Sequence, residues 1–403
     1  MLIGSIFCRK SLFQNIYFFC FLFMLKKISI YFAYFSYVLY QTGLLFGIST
    51  INDSELIRRS CSILAVAMLF FSLVLCHKIK LVSCERGFYV FILLFLLIGV
   101  ISQDFLLIFI TLFYINIENF DISTVFKISF FSLLLSTSII VLSSYFGIIE
   151  NVTGYRNSLL GVVLRNTFGF KWFLCLPDVI VYLCIYYTIY KKSFTVRFAF
   201  LFVLISVVLF YYCDSKLALF SSFLATVMYF SVRLIKSKYY HLIMYYLSFS
   251  IFPTLTLVSY YFLYMFSSND PTGVILNEIL TDRLALTYYN LQLYPILPLN
   301  VTDISSMKQI AIYIIDSGYF YLGFRYGFLS YILFSILCFY ISKYFWITKN
   351  IYGLTSFILI LIMSFIDNNF MGYGFLPFYL VGAYSFKRFL RRPNEADRYH
   401  KNC

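Results

Sequence analysis

The sequence predicts an all-α protein, a polytopic bundle of about 12 transmembrane helices with two longer extracytoplasmic loops. Hydrophobic residues make up 62% of the 403 residues and charged residues 12%, which is too apolar for one soluble core. Apolar stretches of about 17 to 25 residues recur along the chain, and each is long enough for a helix to cross the hydrocarbon core. Short alternating strands, which are typical of transmembrane barrels, are absent from the sequence.

Each predicted span is an apolar stretch bounded by polar or charged residues. The spans cover residues 28–48, 60–77, 88–102, 105–117, 127–147, 173–190, 196–213, 217–233, 241–266, 319–342, 350–366 and 373–390. They form one transmembrane domain over residues 28–390, followed by a cytoplasmic tail over 391–403. Residues 1–27 form a separate N-terminal segment, since its apolar run is too short to span and Met24 reads as an alternative start of translation.

The charged residues predict the orientation of the bundle. With both termini in the cytoplasm, nine of the 31 Lys and Arg fall in outer segments and the other 22 in cytoplasmic segments. The acids show the opposite bias, with 12 of 17 outside. This distribution follows the positive-inside rule. The net charge of +14 therefore indicates topology, and a nucleic-acid partner is not expected because the cations are dispersed between apolar segments.

Cofactor and metal motifs are absent from the sequence. The ten cysteines lie singly, mostly inside apolar segments, and no C-x-x-C pair occurs. Nucleotide-binding glycine loops, the G-x-S-x-G nucleophile motif and the H-E-x-x-H zinc motif do not occur either. We therefore expect no metal site and no cofactor.

The first long outer loop, residues 148–172, contains three cations, Arg156, Arg165 and Lys171. Their position is unexpected, because the outer segments as a whole contain more acids than cations. One interpretation is a solvated loop whose cations lie at the membrane interface. The other is a binding site for a phosphate or pyrophosphate, since arginine can bind phosphate oxygens through two N–H groups.

The second long outer loop, residues 267–318, contains a helical pattern from Val274 to Leu293. Its apolar side, which is expected to lie against the membrane or the bundle, is formed by Leu276, Ile279, Leu280 and Leu291. Its polar side is formed by Asn277, Glu278, Thr281, Ala285, Tyr288 and Tyr289. Arg283 falls in the middle of the apolar side, where a charge is costly without a partner or an anionic ligand.

Two shorter polar elements lie on the same predicted side. Asp214, Ser215 and Lys216 connect two apolar spans, and the structural alternative to a site is a polar hairpin in which Lys216 reaches solvent. Asp316 lies three residues before Tyr319 at the start of a span, where an N-cap is the structural alternative.

A proton acceptor on the outer side would have to be a carboxylate. The three histidines, His77, His241 and His400, all lie on the predicted cytoplasmic side. The candidates considered are Asp316, Asp303, Asp214 and Glu278.

The order of these polar elements resembles that of the bacterial repeat-unit polymerases of O-antigen, capsule and exopolysaccharide assembly, the Wzy-like membrane polymerases. The resemblance spans residues 28–390. It rests on Arg156 with Arg165-Asn-Thr-Phe-Gly169-Phe170, on Ser215-Lys216, on Thr281-Asp282-Arg283, and on Asp316-Ser317-Gly318-Tyr319. The sequence departs from the family pattern at Lys171-Trp172-Phe173, where a His-Pro-Asn-like run is usual, and at Lys216, where Arg often follows Ser.

The resemblance implies transfer of an undecaprenyl-pyrophosphate-linked glycan onto the next lipid-linked repeat unit, at the outer face of the bacterial cytoplasmic membrane. In this interpretation Arg165, Arg283 and Lys216 bind the pyrophosphates, with Arg156 and Lys171 as auxiliary cations. Asp316 is the candidate base, and Gly169, Ser215 and Tyr319 complete the matched segments of the substrate site. The implied partners are membrane lipid, a flippase, a chain-length regulator and an initiating transferase.

Two alternatives remain. A lipid-linked oligosaccharide flippase or other transporter would place polar residues at mid-depth, often in two repeated halves. The predicted spans are almost free of charge there and show no obvious duplication. A ligase that attaches finished chains to another acceptor is the closer enzymatic alternative, and the lack of an outer histidine disfavours it by family resemblance.

Overall fold

The computed structural model describes residues 3–77, 86–101, 105–117, 120–158, 161–235, 237–280, 282–293, 296–299, 317–367 and 372–390. Within these ranges 81% of the residues are helical, in 15 helices, and two strands form one hairpin. The prediction of a helical bundle is confirmed for the part of the chain that is described.

The helices are α1 (Ile3–Gly47), α2 (Ser54–His77), α3 (Arg86–Ile101), α4 (Phe105–Asn116), α5 (Ile122–Tyr145), α6 (Cys175–Lys191), α7 (Val196–Cys213), α8 (Lys216–Leu234), α9 (Lys238–Ser267), α10 (Pro271–Ile279), α11 (Arg283–Leu293), α12 (Gly318–Tyr326), α13 (Leu329–Ile347), α14 (Ile351–Ile366) and α15 (Leu376–Leu390). The strands are β1 (Thr153–Ser158) and β2 (Gly161–Asn166). Both strands lie in the first predicted outer loop.

Six of the described helices are long and apolar enough to cross a membrane: α2 over Ser54–Leu75, α5, α7, α8, α9 and α13. Three shorter apolar helices cover Ile92–Ile101, Leu106–Asn116 and Ile351–Phe365. The six long helices expose apolar side chains, such as Leu135 (64%) and Phe200 (70%). A surface of this kind is expected where a helix contacts lipid.

One predicted span, residues 319–342, is not continuous. It divides into α12 and α13 at Gly327, which has a φ of +82° and ends α12. An L-amino acid rarely adopts that conformation, so the chain turns at the glycine. The membrane-length helix is Leu329–Ile347, and α12 is a separate helix of nine residues.

The predicted helix over Val274–Leu293 is also broken, because Asp282 adopts a φ of +63° and separates α10 from α11. The Asn277 side chain fixes this turn. Its Nδ2 donates to Asp282 Oδ1 (2.9 Å), and its Oδ1 accepts from the Ala285 N–H (2.9 Å) in the first turn of α11. Hydrophobic periodicity does not detect such local polar bonds.

The protein-facing side of α10 and α11 differs from the predicted one. Gly273 and Asn277 of α10 are buried, whereas Ile279 is 69% exposed. In α11 the buried residues are Leu284, Thr287 and Asn290. Asn277, predicted on the polar side, therefore faces the bundle, and Ile279 of the predicted apolar side faces away from it.

Helix α14 lies at the centre of the bundle. It packs against α6, α8, α9 and α13, and residues Leu354 and Phe357–Leu361 are at most 1% exposed. A helix surrounded by other helices needs no long lipid-facing surface, which is consistent with its length of 16 residues. Its C-terminal end presents Asp367 at one end of the bundle.

Backbone contacts define that end, which we call the hairpin end. The Thr50 N–H donates to the Gly169 carbonyl (2.8 Å), so the end of α1 contacts the loop that carries the β-hairpin. Because the helices alternate in direction, the connection from Cys213 to Lys216 and the start of α6 lie at the same end. The opposite end carries Lys191, Lys192, Arg197, Arg233, Lys238, Lys349 and Arg388.

Candidate functional site

The β-hairpin places two arginines on one face. Strands β1 and β2 are antiparallel, with Gly154 opposite Arg165 and Arg156 opposite Val163. Residues two apart on a strand share a face, so Arg156 and Arg165 are diagonal neighbours. Gly154 leaves room beside Arg165 for the Phe173 ring, which a β-carbon at position 154 would approach to 2.9 Å.

Arg165 is fixed by two contacts. Its Nε donates to the Cys213 carbonyl (2.8 Å) at the end of α7, and its guanidinium lies over the Phe173 ring, 4.1 Å from the centroid. Among the described residues its Nη groups make no hydrogen bond or ion pair with protein. Burial lowers the pKa of Arg165, nearby Arg156 lowers it further, and Asp214 and Cys213 oppose the shift. The side chain is thus held in place with donors left for an anion.

Asp214 joins the hairpin to the connection between α7 and α8. Its side chain is 4% exposed, and its Oδ2 lies 3.6 Å from Arg156 Nη1. Ser215 is the N-cap of α8, where its Oγ accepts from the Ala218 N–H (3.3 Å). Lys216 follows as the first residue of α8 and is exposed.

We call Arg156, Arg165, Lys216 and Asp214 the cationic cluster. Three cations and one carboxylate give it a net charge of +2. The positive end of the α8 dipole and its free N–H groups add to this potential. The cluster is suited to an anion with several oxygens, such as a pyrophosphate.

Gly169 and Lys171 have packing roles beside the cluster. Lys171 Nζ donates to the Gly47 carbonyl (2.8 Å), at the negative end of the α1 dipole. Gly169 has a φ of +87° and lies against α5, where a β-carbon would be 2.9 Å from Ser144 Cβ. Both residues hold the hairpin loop against the bundle.

A second polar group lies at the start of α6. Asp178, in its first turn, is 5% exposed and lies close enough to Asp367, which follows α14, to interact electrostatically with it. Arg283, the first residue of α11, is close enough to interact electrostatically with Asp178. We call Asp178 and Asp367 the carboxyl pair. Neither residue is among the candidates predicted from the sequence, although a carboxylate at the end of an apolar span itself indicates a functional site.

Two buried polar atoms beside the carboxyl pair are unsatisfied. Asp178 Oδ1 and the Tyr182 hydroxyl have no hydrogen-bond partner within the described ranges. The Tyr182 ring packs closely against Gly374, and the Tyr186 hydroxyl donates to the Gly374 carbonyl (2.8 Å). The segment before α15 is thereby held over the start of α6. Buried polar atoms without partners are costly, which makes them a marker for a polar ligand.

Tyr319 lies deeper in the bundle. It is fully buried, its hydroxyl donates to the Leu361 carbonyl (2.9 Å), and its ring stacks on Phe252. Through this hydrogen bond the Tyr319 hydroxyl joins α12 to α14. The predicted residues Asp316, Asp303 and Thr281 lie outside the described residues.

The structure therefore brings Arg156 and Arg165 to the connection that carries Asp214, Ser215 and Lys216, and it places Arg283 near Asp178. The chain from Lys171 to Asp178 connects the two groups, since Lys171, Asp178 and Asp367 all lie near Cys175. Both groups are at the hairpin end.

Comparisons with family models, curated proteins and solved structures found no match to this chain. The fold and site define a helical protein with several helices of membrane-spanning length and a cationic cluster beside a carboxyl pair at one end. The chemistry of that end is the basis on which a function is assigned.

Proposed function

We propose that this protein polymerises undecaprenyl-pyrophosphate-linked oligosaccharide repeat units into O-antigen, capsule or exopolysaccharide. The reaction takes place at the outer face of the bacterial cytoplasmic membrane. The observation that carries the proposal is the docking of the hairpin on the connection between α7 and α8, through a hydrogen bond between residues 48 apart, Arg165 and Cys213.

The charge of the cationic cluster matches the proposed donor. In a lipid-linked glycan both phosphate groups of the pyrophosphate are ionised, and the cluster offers three cations and one carboxylate. Negative charge increases on the pyrophosphate as the sugar leaves. Fixed guanidinium groups stabilise that charge in a water-poor site without a metal. Arg283 is the proposed cation for the second pyrophosphate, and Lys171 and Arg156 are auxiliary.

The membrane arrangement fits a substrate with a long lipid tail. We propose about 12 spans, the six long helices together with α1, α3, α4, α6, α14 and α15. The cation-rich opposite end is then cytoplasmic by the positive-inside rule, and the hairpin end is outside. The polyprenyl chain stays in the bilayer while its pyrophosphate reaches the cluster. A flippase and a chain-length regulator are the proposed partners.

The test is the size distribution of lipid-linked glycan in cells that produce wild type, Arg165→Ala or Arg283→Ala at equal membrane levels. We expect wild type to make long chains. Each variant should accumulate single repeat units on the outer leaflet, with polymerisation lowered about 100-fold or more, because the charge of the leaving pyrophosphate loses a fixed partner. Arg59→Ala is the matched control, since Arg59 is another hairpin-end arginine, 68% exposed and paired with Glu55.

Other outcomes would identify a different function. Repeat units retained on the cytoplasmic leaflet would indicate a flippase. Normal long chains in both variants would show that Arg165 and Arg283 are structural, and the proposed site would be abandoned.

A further inference from the structure

The Phe173 ring lies where the hairpin meets the segment that leads into α6. The guanidinium of Arg165 lies over this ring, 4.1 Å from its centroid. Gly154 is directly opposite Arg165 in the hairpin, and a β-carbon at position 154 would lie 2.9 Å from Phe173 Cζ. The ring therefore fills the space that Gly154 leaves beside Arg165, and it fixes the plane of the guanidinium.

The contacts of Arg165 leave one edge of its guanidinium free. A guanidinium has five N–H donors in one plane. The Nε–H of Arg165 donates to the Cys213 carbonyl (2.8 Å), and the four Nη N–H groups have no protein partner among the described residues. Two of these four point forward as a parallel fork, which matches two oxygens of one phosphate. Arg165 thus presents a two-donor fork whose direction is set by the Nε bond and the ring.

The other cations of the cationic cluster are held differently. Arg156 Nη1 lies 3.6 Å from Asp214 Oδ2, and the Arg156 side chain is 35% exposed. Lys216 is exposed, and an ammonium group is a compact charge without a planar fork. Within the described ranges neither of these cations lies over an aromatic ring. Arg156 and Lys216 therefore supply charge, whereas Arg165 also supplies direction.

We infer that Phe173 is a positioning residue of the phosphate site, which acts by directing the Arg165 fork at two oxygens of one phosphate. The ring also keeps water from one face of the guanidinium, which strengthens the bonds that the fork makes. Gly154 is the second positioning residue, because it leaves room for the ring. This inference rests on the proposed function, in which the ligand is the pyrophosphate of a lipid-linked glycan.

The test is binding of inorganic pyrophosphate to the full-length protein in phosphatidylcholine nanodiscs, measured by isothermal titration calorimetry. Phe173→Leu should raise the Kd about 10-fold, because leucine keeps apolar bulk but has no ring to hold the guanidinium. Phe173→Tyr keeps a ring and should restore the Kd to within about threefold of wild type. Trp172→Leu is the matched control. It replaces the neighbouring ring, which is 58% exposed, and should bind as wild type does.

A double-mutant cycle separates positioning from packing. Arg165→Lys keeps the charge but loses the fork, so it should raise the Kd about 10-fold or more in the wild-type background. In the Phe173→Leu background the same change should raise it by about threefold or less, because the fork is already misdirected. Equal losses in the two backgrounds would overturn the positioning role.

A second variant reaches the ring without removing it. Gly154→Ala places a β-carbon against the ring edge and should raise the Kd about threefold, because the ring must move beneath the guanidinium. This variant keeps Phe173, so it remains informative if Phe173→Leu lowers the amount of folded protein. Unchanged binding in Gly154→Ala with the ring displaced would also contradict the inference.

The failures can be told apart. If wild type binds pyrophosphate and Phe173→Leu binds it within about threefold of wild type, the positioning role is overturned while the phosphate site stands. If Phe173→Leu and Trp172→Leu weaken binding alike, the effect belongs to the loop and the positioning role is again overturned. If the variants behave as expected but wild type extends no lipid-linked chains, the polymerase proposal fails while the role of Phe173 at a phosphate site is supported. If wild type binds no pyrophosphate, the cationic cluster is not a phosphate site and the inference fails with it.

Discussion

Asp214 shows how one buried carboxylate organises cations contributed by two segments. Its side chain is 4% exposed, and Oδ2 has the Arg156 guanidinium as ion-pair partner and no hydrogen bond within the described ranges. Without this charge, Arg156 and Arg165 would repel each other at the docking site of the hairpin. The residue therefore has two effects, since it stabilises the hairpin and also lowers the net charge offered to an anion.

Asp214→Asn is expected to destabilise the protein by about 1–2 kcal/mol, less than a fully buried pair because Arg156 is partly exposed. Arg156→Gln and the double variant complete a cycle measured by thermal unfolding in detergent. We expect the double variant to lose less stability than the sum of the losses of the two single variants, because the ion pair is lost only once. Additive losses would show that the ion pair contributes nothing.

At the scale of elements, the hairpin is positioned by the loop that returns from β2 to α6. Gly169 combines a φ of +87° with close contacts to α5, and its carbonyl accepts from the Thr50 N–H. Lys171 then caps the end of α1 through the Gly47 carbonyl. The hairpin is held by α1 and α5 on one side and by α7 on the other.

Gly169→Ala should destabilise the protein by about 2–4 kcal/mol, because the backbone conformation is strained and the new β-carbon would lie 2.9 Å from Ser144 Cβ in α5. Gly147→Ala is the matched control. Gly147 also has a positive φ (+69°), but a β-carbon at this position would meet nothing within 4 Å. The expected destabilisation is therefore only about 1–2 kcal/mol, from the backbone conformation alone. Equal shifts in melting temperature would mean that contact with α5 is unimportant.

At the scale of the whole molecule, the orientation of the protein in a membrane depends on the charges at the two ends of the bundle. The end opposite the hairpin carries clustered lysines and arginines, whereas the hairpin end carries both acids and cations. Because translocating cations is unfavourable, this asymmetry favours one orientation in the membrane. In the proposed orientation, the cationic cluster faces the compartment where the proposed lipid-linked substrates are extended.

Cysteine labelling tests this orientation in a background where the ten native cysteines are replaced by serine. Tyr155→Cys in β1 (78% exposed) should react with a membrane-impermeant maleimide in intact cells. Tyr239→Cys at the start of α9 (79% exposed) should react only after permeabilisation. The reverse pattern would invert the topology and place the cationic cluster in the cytoplasm.

Parts of the fold follow from local sequence, and others do not. The predicted spans over residues 196–213 and 217–233 closely match α7 and α8, since apolar length and charged ends are local properties. The turns at Asp282 and Gly327 were missed, because a side-chain hydrogen bond from Asn277 and a positive φ leave no mark on hydrophobic periodicity. The hairpin was predicted as an outer loop without its strands.

The sequence by itself determined the helical membrane class and the charge asymmetry of the two ends, because both depend on composition along short segments. Tertiary structure decided which polar side chains meet. The bond from Arg165 to the Cys213 carbonyl and the proximity of Asp178 to Asp367 join segments far apart in the chain. No local pattern encodes such pairs, since the first arises only where β2 meets the end of α7 and the second only where α14 packs against α6.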